Sequence, residues 1–259
     1  MGRGPPSDTD SRRTDSIDEE ESSPTVASRL ASAARVLLTL GLLCGLVISA
    51  IAVGPTLIDD FGDFGEFDDL PAPSEDPPPA GERDPDVTDP DDPNETSYET
   101  EVETVSSETV EDFVHAKVND RRAEHDLEAL EWDGTIASVS RAHSEDMDDR
   151  DYFAHTNPDG EDPYDRFEDV SDYCRSYGEN LAMNWLERPV QEPNESTTVE
   201  YQTAEGIAEA LVVQWMNSPD HRDAILEEGQ SQSWDRAGVG VYLSEDGEVY
   251  ASQNFCTEW

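Results

Sequence analysis

The chain carries five histidines, His115, His125, His143, His155 and His221. An imidazole is the side chain best suited to ligate a metal or move a proton near neutral pH. His155 follows Tyr152-Phe153-Ala154 and precedes a Pro158-Asp159-Gly160 turn, which puts the ring at the mouth of a loop. His221 lies in Trp215-Met216-Asn217-Ser218-Pro219-Asp220-His221, where a proline breaks a helix. Glu179 adds a carboxylate between Gly178 and an apolar stretch. Two His and one Glu form a ligand set for a divalent ion, zinc or magnesium, with an open coordination position. From spacing alone the signal is weak, since no H-E-x-x-H pair occurs. A metal-free alternative uses Ser218 as nucleophile, a nearby His as base and Glu179 to orient that His. Ser218 stands before Pro219 and on no nucleophile elbow, which argues against it. His115 and His125 fall among charged residues. His143 sits on an apolar stripe and fits a core residue or a cavity wall.

Helices must position these groups. Val110, Phe113, Val114 and Val118 recur at helical spacing and predict a helix over about 109–124. Ile136, Val139, His143 and Met147 predict a second over 135–150. Ile207, Leu211, Val212, Trp215 and Met216 predict a third over about 203–217, ended or restarted at Pro219. AGVGVYL and EVYASQNF alternate like strands around a Ser244-Glu245-Asp246-Gly247 turn. Helices first and a hairpin last place the fold in the α+β class, or in a three-layer α-β-α sandwich.

Four motifs occur in order: YFAHTNPDG, GENLA, WMNSPDHRDAIL and AGVGVY…YASQNF. Together they resemble the CAP superfamily (cysteine-rich secretory, antigen 5 and pathogenesis-related proteins), in its prokaryotic SPxHR form. VNDRRAEHDLEALEWD fits the family's opening helix, so the resemblance covers about Val110 to Cys256. It implies the α-β-α sandwich with a central cleft, lined in the family by two His and two Glu. His155 and His221 match the two His, and Glu179 matches the first Glu. The second acidic position falls near Asn217-Ser218, where no carboxylate stands. The resemblance thus implies a cleft of His155, Glu179, His221, Asn217 and Ser218, with a divalent ion between the two His. The same residues could instead form a polar network that holds the cleft's shape.

The chain has 259 residues, with 62 Asp+Glu against 16 Lys+Arg and a formal charge of −46. Lys117 is the only lysine. With no basic patch to displace counterions, nucleic acid is excluded as a partner. No EF-hand loop supports calcium. The acid excess reads as an extreme halophile's surface, where multimolar salt screens self-repulsion.

Residues 1–28 are polar and aperiodic and read as a disordered cytoplasmic tail. Residues 29–58 read as a transmembrane signal anchor, with 23 uncharged residues from Val36 to Ile58. Arg29 and Arg35 precede the apolar run and Asp59-Asp60 follow it, which places the C-terminal bulk outside the cell. The alternative is a leader cleaved near Ala50-Ile51-Ala52, giving a secreted protein. Cys44 lies within the run and reads as an apolar residue. Residues 59–107 read as an acidic, Pro-rich tether, and 108–259 as the extracellular domain. Asn94 and Asn194 open glycosylation sequons. Two exported cysteines remain, Cys174 and Cys256, and they allow one disulfide or two buried thiols. The expected function is a membrane-anchored binding module for an unknown extracellular ligand. The alternatives are a metal-dependent hydrolase of envelope or protein substrates and a structural envelope protein.

Overall fold

Alternating side chains on one strand explain how the layers stack. In β7 (Arg236–Leu243), Ala237, Val239, Val241 and Leu243 are buried on one face, and Gly238 and Gly240 lie on the other. A Cβ at either glycine would overlap the backbone of α2 (Gly134–Asp149), at Ala137 and Arg141 respectively. The helix can therefore lie directly on the strand, which is the use of the AGVG motif.

The computed structural model describes residues 71–191, 197–229 and 233–259. They fall in a compact unit running from Asp68 to Trp259. The expected tail, the expected membrane anchor and Asn194 lie outside the described residues. Among the described residues no helix is long and apolar enough to cross a membrane.

The central sheet has the order β3-β7-β8-β4, with β3 at Glu131–Trp132, β8 at Glu248–Glu258 and β4 at Cys174–Trp185. β3 and β7 are parallel, and the other two pairings are antiparallel. One face packs on α1 (Ser107–Ala123) and α4 (Ala204–Asn217). Val110, Val114, Leu211 and Trp215 are fully buried there against Val239 and Ala251. The other face packs on α2, with the short α3 (Pro163–Glu168) beside β4. The fold is α+β, with helices on both faces of the sheet. α5 (Pro219–Ile225) follows α4 after Ser218, so Pro219 both ends one helix and starts the next. Two small antiparallel pairs complete the elements: β1 (Ser97–Glu99) with β2 (Thr104–Ser106), and β5 (Val190–Gln191) with β6 (Thr198–Val199).

Local chemistry starts the helices. Ser106, Asp133 and Thr203 accept hydrogen bonds from Thr109, Ile136 and Gly206 N–H as N-caps. Cys174 and Cys256 are disulfide-bonded, tying the start of β4 to the end of β8 across a separation of 82 residues.

The expected tether needs correction from residue 71 onward, because it packs on the domain. Glu103 accepts hydrogen bonds from Ser74 N–H (2.6 Å) and from Ala204 N–H (2.7 Å) at the start of α4. Trp132 donates its indole N–H to Glu82 O at 3.0 Å, and the Arg83 guanidinium lies 4.8 Å above the same ring. Glu111, fully buried on α1, is paired with Arg83 and with Arg141 (3.1 Å) and accepts from Val241 N–H. Arg141 also grips Asp92 at 2.8 Å. Composition predicts self-repulsion for this acidic stretch. In the fold its charges meet arginines and helix N-termini instead.

Removing one partner of a buried ion pair strands the other. Arg141→Ala is therefore expected to cost ~3–5 kcal/mol of unfolding free energy in denaturant melts. A loss below ~1 kcal/mol, the value of a surface pair, would contradict the network.

Candidate functional site

Glu179 stands midway along β4. Its side chain is 1% exposed, yet both carboxylate oxygens are satisfied. Oε1 lies 2.9 Å from His155 Nδ1, and Oε2 accepts from Arg166 at 2.7 Å. A buried carboxylate so paired is held by charge-assisted bonds rather than by water. Arg166 projects from α3, whose start is fixed by Pro163 and by a capping box between Asp162 and Asp165. Its other nitrogen donates to His155 O (2.8 Å) and Glu161 O (3.2 Å). One guanidinium thus fixes the carboxylate and the backbone of the histidine that the carboxylate orients.

His155 is half exposed at its side chain, on the loop after α2. Glu179 occupies its Nδ1, and its Nε2 meets no hydrogen-bond partner among the described residues. A carboxylate on one imidazole nitrogen fixes the tautomer and makes the other a better ligand atom.

His221 comes from the opposite layer, on α5. Asn180, the next residue on β4, donates from Nδ2 to His221 O at 3.1 Å. Neighbouring residues on a strand point to opposite faces, so Glu179 and Asn180 hold the two histidines on either side of one edge. His221 Nδ1 is buried and has no hydrogen-bond partner among the described residues. Burial, and then the proximity of His155, hold the His221 pKa below its ordinary value, against the pull of Asp220.

His143 takes its place behind Glu179 as a buried residue, its Nε2 4.0 Å from Oε1 and 3.2 Å from Ala154 O. Its Nδ1 meets Tyr152 OH at 3.3 Å, and that hydroxyl donates to Asp146 at 2.6 Å. Burial pushes His143 down to about 4, with the Glu179 charge opposing. It is a neutral wall of the cluster.

The structure separates the expected residues. His155, Glu179 and His221 gather around the β4 edge. Asn217 is exposed and bonds back to Val213 O on its own helix, and Ser218 joins α4 to α5 without a side-chain cap bond. Neither is hydrogen-bonded to His155, Glu179 or His221 among the described residues. Each Glu179 oxygen has one protein partner, His155 for Oε1 and Arg166 for Oε2. No three His, Cys, Asp or Glu among the described residues are grouped to hold a metal ion. Arg166 was missed from sequence, because it stands in none of the motifs, and Tyr152, the first residue of YFAHTNPDG, was read only as an aromatic leading into His155.

The sequence profile of the cysteine-rich secretory protein family, CAP, matches residues 115–255. The chain belongs to this family. It is 32% identical over 138 residues to the uncharacterized membrane protein YlbC of Bacillus subtilis (strain 168), covering 53% of this chain and 32% of that one. It is 27% identical over 135 residues to the uncharacterized protein YkwD of the same organism, covering 52% and 42%. The chain therefore matches less than half the length of each. An extracellular SCP-domain protein of Bacillus anthracis str. Ames is similar at 28% identity and a TM-score of 0.41, over 56% of this chain and 39% of that one. An outer surface protein of Borrelia burgdorferi is similar at 18% identity and a TM-score of 0.44, over 56% and 90%.

The depressed pKa of His143 has a sign. Its neutral form stabilises the fold fully above the unfolded value of 6.5, and that contribution is lost as pH falls toward about 4. Glu111, pushed up by burial to about 7, acts in the opposite direction as pH falls. The readout is therefore the difference between wild type and variant. His143→Gln is expected to remove a slope of about 1 kcal/mol per pH unit between pH 6.5 and 4 in denaturant melts. Parallel pH profiles for the two proteins would show that His143 titrates normally.

Proposed function

We propose that the protein is an extracellular binding module of the CAP family whose cleft takes a divalent ion or small ligand between His155 and His221. The observation that carries this reading is the Arg166–Glu179–His155 relay, which commits Nδ1 and presents Nε2. His221, kept neutral by burial, supplies a second imidazole across the edge. Two imidazole nitrogens suit zinc better than magnesium, which prefers oxygen. A zinc ion held there would act as a Lewis acid with positions left for water or ligand. Glu179 would orient its histidine rather than bind the ion.

The finer assignments belong to the same proposal. Ser218-Pro219-Asp220-His221-Arg222 fits the SPxHR form of the family. The charge of −46 with one lysine fits an extreme halophile. The apolar run Val36–Ile58 would anchor the domain outside the membrane as a single pass.

The test is calorimetric titration with Zn²⁺ and Mg²⁺ in multimolar KCl. One-to-one zinc binding is expected, abolished by His155→Ala and by His221→Ala and weakened roughly 10–100-fold by Glu179→Gln. Binding indifferent to both histidines would overturn the reading.

A further inference from the structure

A cavity of about 480 Å³ is lined by Arg166 and His143 but by none of His155, Glu179 or His221. Its size is that of a small-molecule site, ~300–1,000 Å³. One wall is residues 89–91 of the docked acidic stretch, and another is α2. Residues 89–91 lie upstream of the region matched to the family, so this wall is an addition to the shared core. The two arginines of the cavity are already paired, Arg150 with Asp146 and Asp159, and Arg166 with Glu179. The carboxylates of Asp89, Asp91, Glu145, Asp149 and Asp169 enter no ion pair among the described residues. Unpaired acids are common on a chain of −46 and alone mark no site. Two observations set these apart. Burial above all raises the pKa of Asp89 and of Glu145, and neighbouring acids add to it. The Arg166 side chain is 9% exposed, and its Nε is buried and meets no partner among the described residues. A buried guanidinium N–H calls for an acceptor.

We propose that this cavity binds a basic α-amino acid, its carboxylate on Arg166 Nε, its α-ammonium at Asp89 and its side-chain cation at Glu145 and Asp149. Asp89 lies within the field of Arg166, as two opposite charges on one α-carbon require. Glu145 and Asp149 stand one turn apart on the same face of α2. A single metal ion suits the cavity less, since no three of its carboxylates are grouped to hold one among the described residues. Carboxylates spread along a cavity match an elongated molecule with a cation at each end. The unpartnered N–H selects one that also carries a carboxylate, which a plain diamine lacks. The proposal goes beyond the cleft reading and does not depend on it.

The experiment titrates the full chain with L-lysine by calorimetry in multimolar KCl. Potassium in that excess saturates unspecific cation attraction, while partly buried pairs are screened much less. Saturable one-to-one binding is expected, weakened at least ~10-fold by Glu145→Gln and by Asp89→Asn, the worth of one hydrogen bond to a charged group. Both substitutions remove a charge that no ion pair uses, so the fold is kept. Cadaverine, the same molecule without its carboxylate, and L-norleucine, without the side-chain ammonium, are each expected to bind at least ~10-fold more weakly. No saturable binding of lysine, indifference to both substitutions, or equal binding of cadaverine overturns the proposal, the last outcome meaning charge attraction alone. Displacement of lysine by zinc would place it in the cleft and also overturns it. Zinc titration in parallel keeps the two readings apart. Lysine binding without zinc binding removes only the metal, and zinc binding without lysine binding removes only this site.

Discussion

The buried carboxylate of Glu179 is the constraint on which the site depends. A charge at 1% exposure is tolerable only if it is paired and hydrogen-bonded. Arg166 and His155 meet it, and in doing so they fix where α3 and the loop after α2 must lie. The same bonds set the tautomer of His155 and keep its outer nitrogen free. His143 completes the wall as a neutral group, since burial disfavours its charged form and the Arg166 charge adds to that. Position, protonation and exposure of the site thus follow from one ion-paired side chain in the middle of an edge strand.

A second buried carboxylate, Glu111, plays the corresponding part for the scaffold. It sits fully buried on α1, bonded to the β7 backbone and to arginines from two separate segments. One of these, Arg83, lies upstream of the region matched to the family. The acidic stretch before α1 is therefore part of the folded unit. It covers Trp132, closes the start of α4 through Glu103, and holds Arg141 through Asp92. A family match marks the shared core and not the limits of the cooperative unit.

Much of the architecture was legible from local rules. Three helices fell within two residues of their expected bounds, because apolar periodicity and N-cap side chains act within a few residues. The hairpin turn at Ser244–Gly247 followed from turn chemistry, and the AGVGVYL alternation marked the strand, while the close helix–strand contact at its glycines came only with the fold. The reach of β4 was not legible. CRSYGENLAMNW mixes polar and apolar residues, since one strand serves the core, the cleft and an open edge at once.

The sequence by itself determined the family, the helical spans, the Cys174–Cys256 pair as a candidate disulfide, and His155, Glu179 and His221 as the residues to watch. Each of these is written in residue type, order or short spacing. Only the tertiary structure showed that Glu179 meets His155, that Arg166 holds the pair, and that Asn217 bonds back to its own helix. It also showed the acidic stretch after residue 71 to be docked. Apart from the Asn217 bond, these outcomes depend on polar contacts between residues 13, 24 or 49 positions apart. Coulombic partners at such separations leave no periodic trace in a chain, because the sheet and not the sequence brings them within reach.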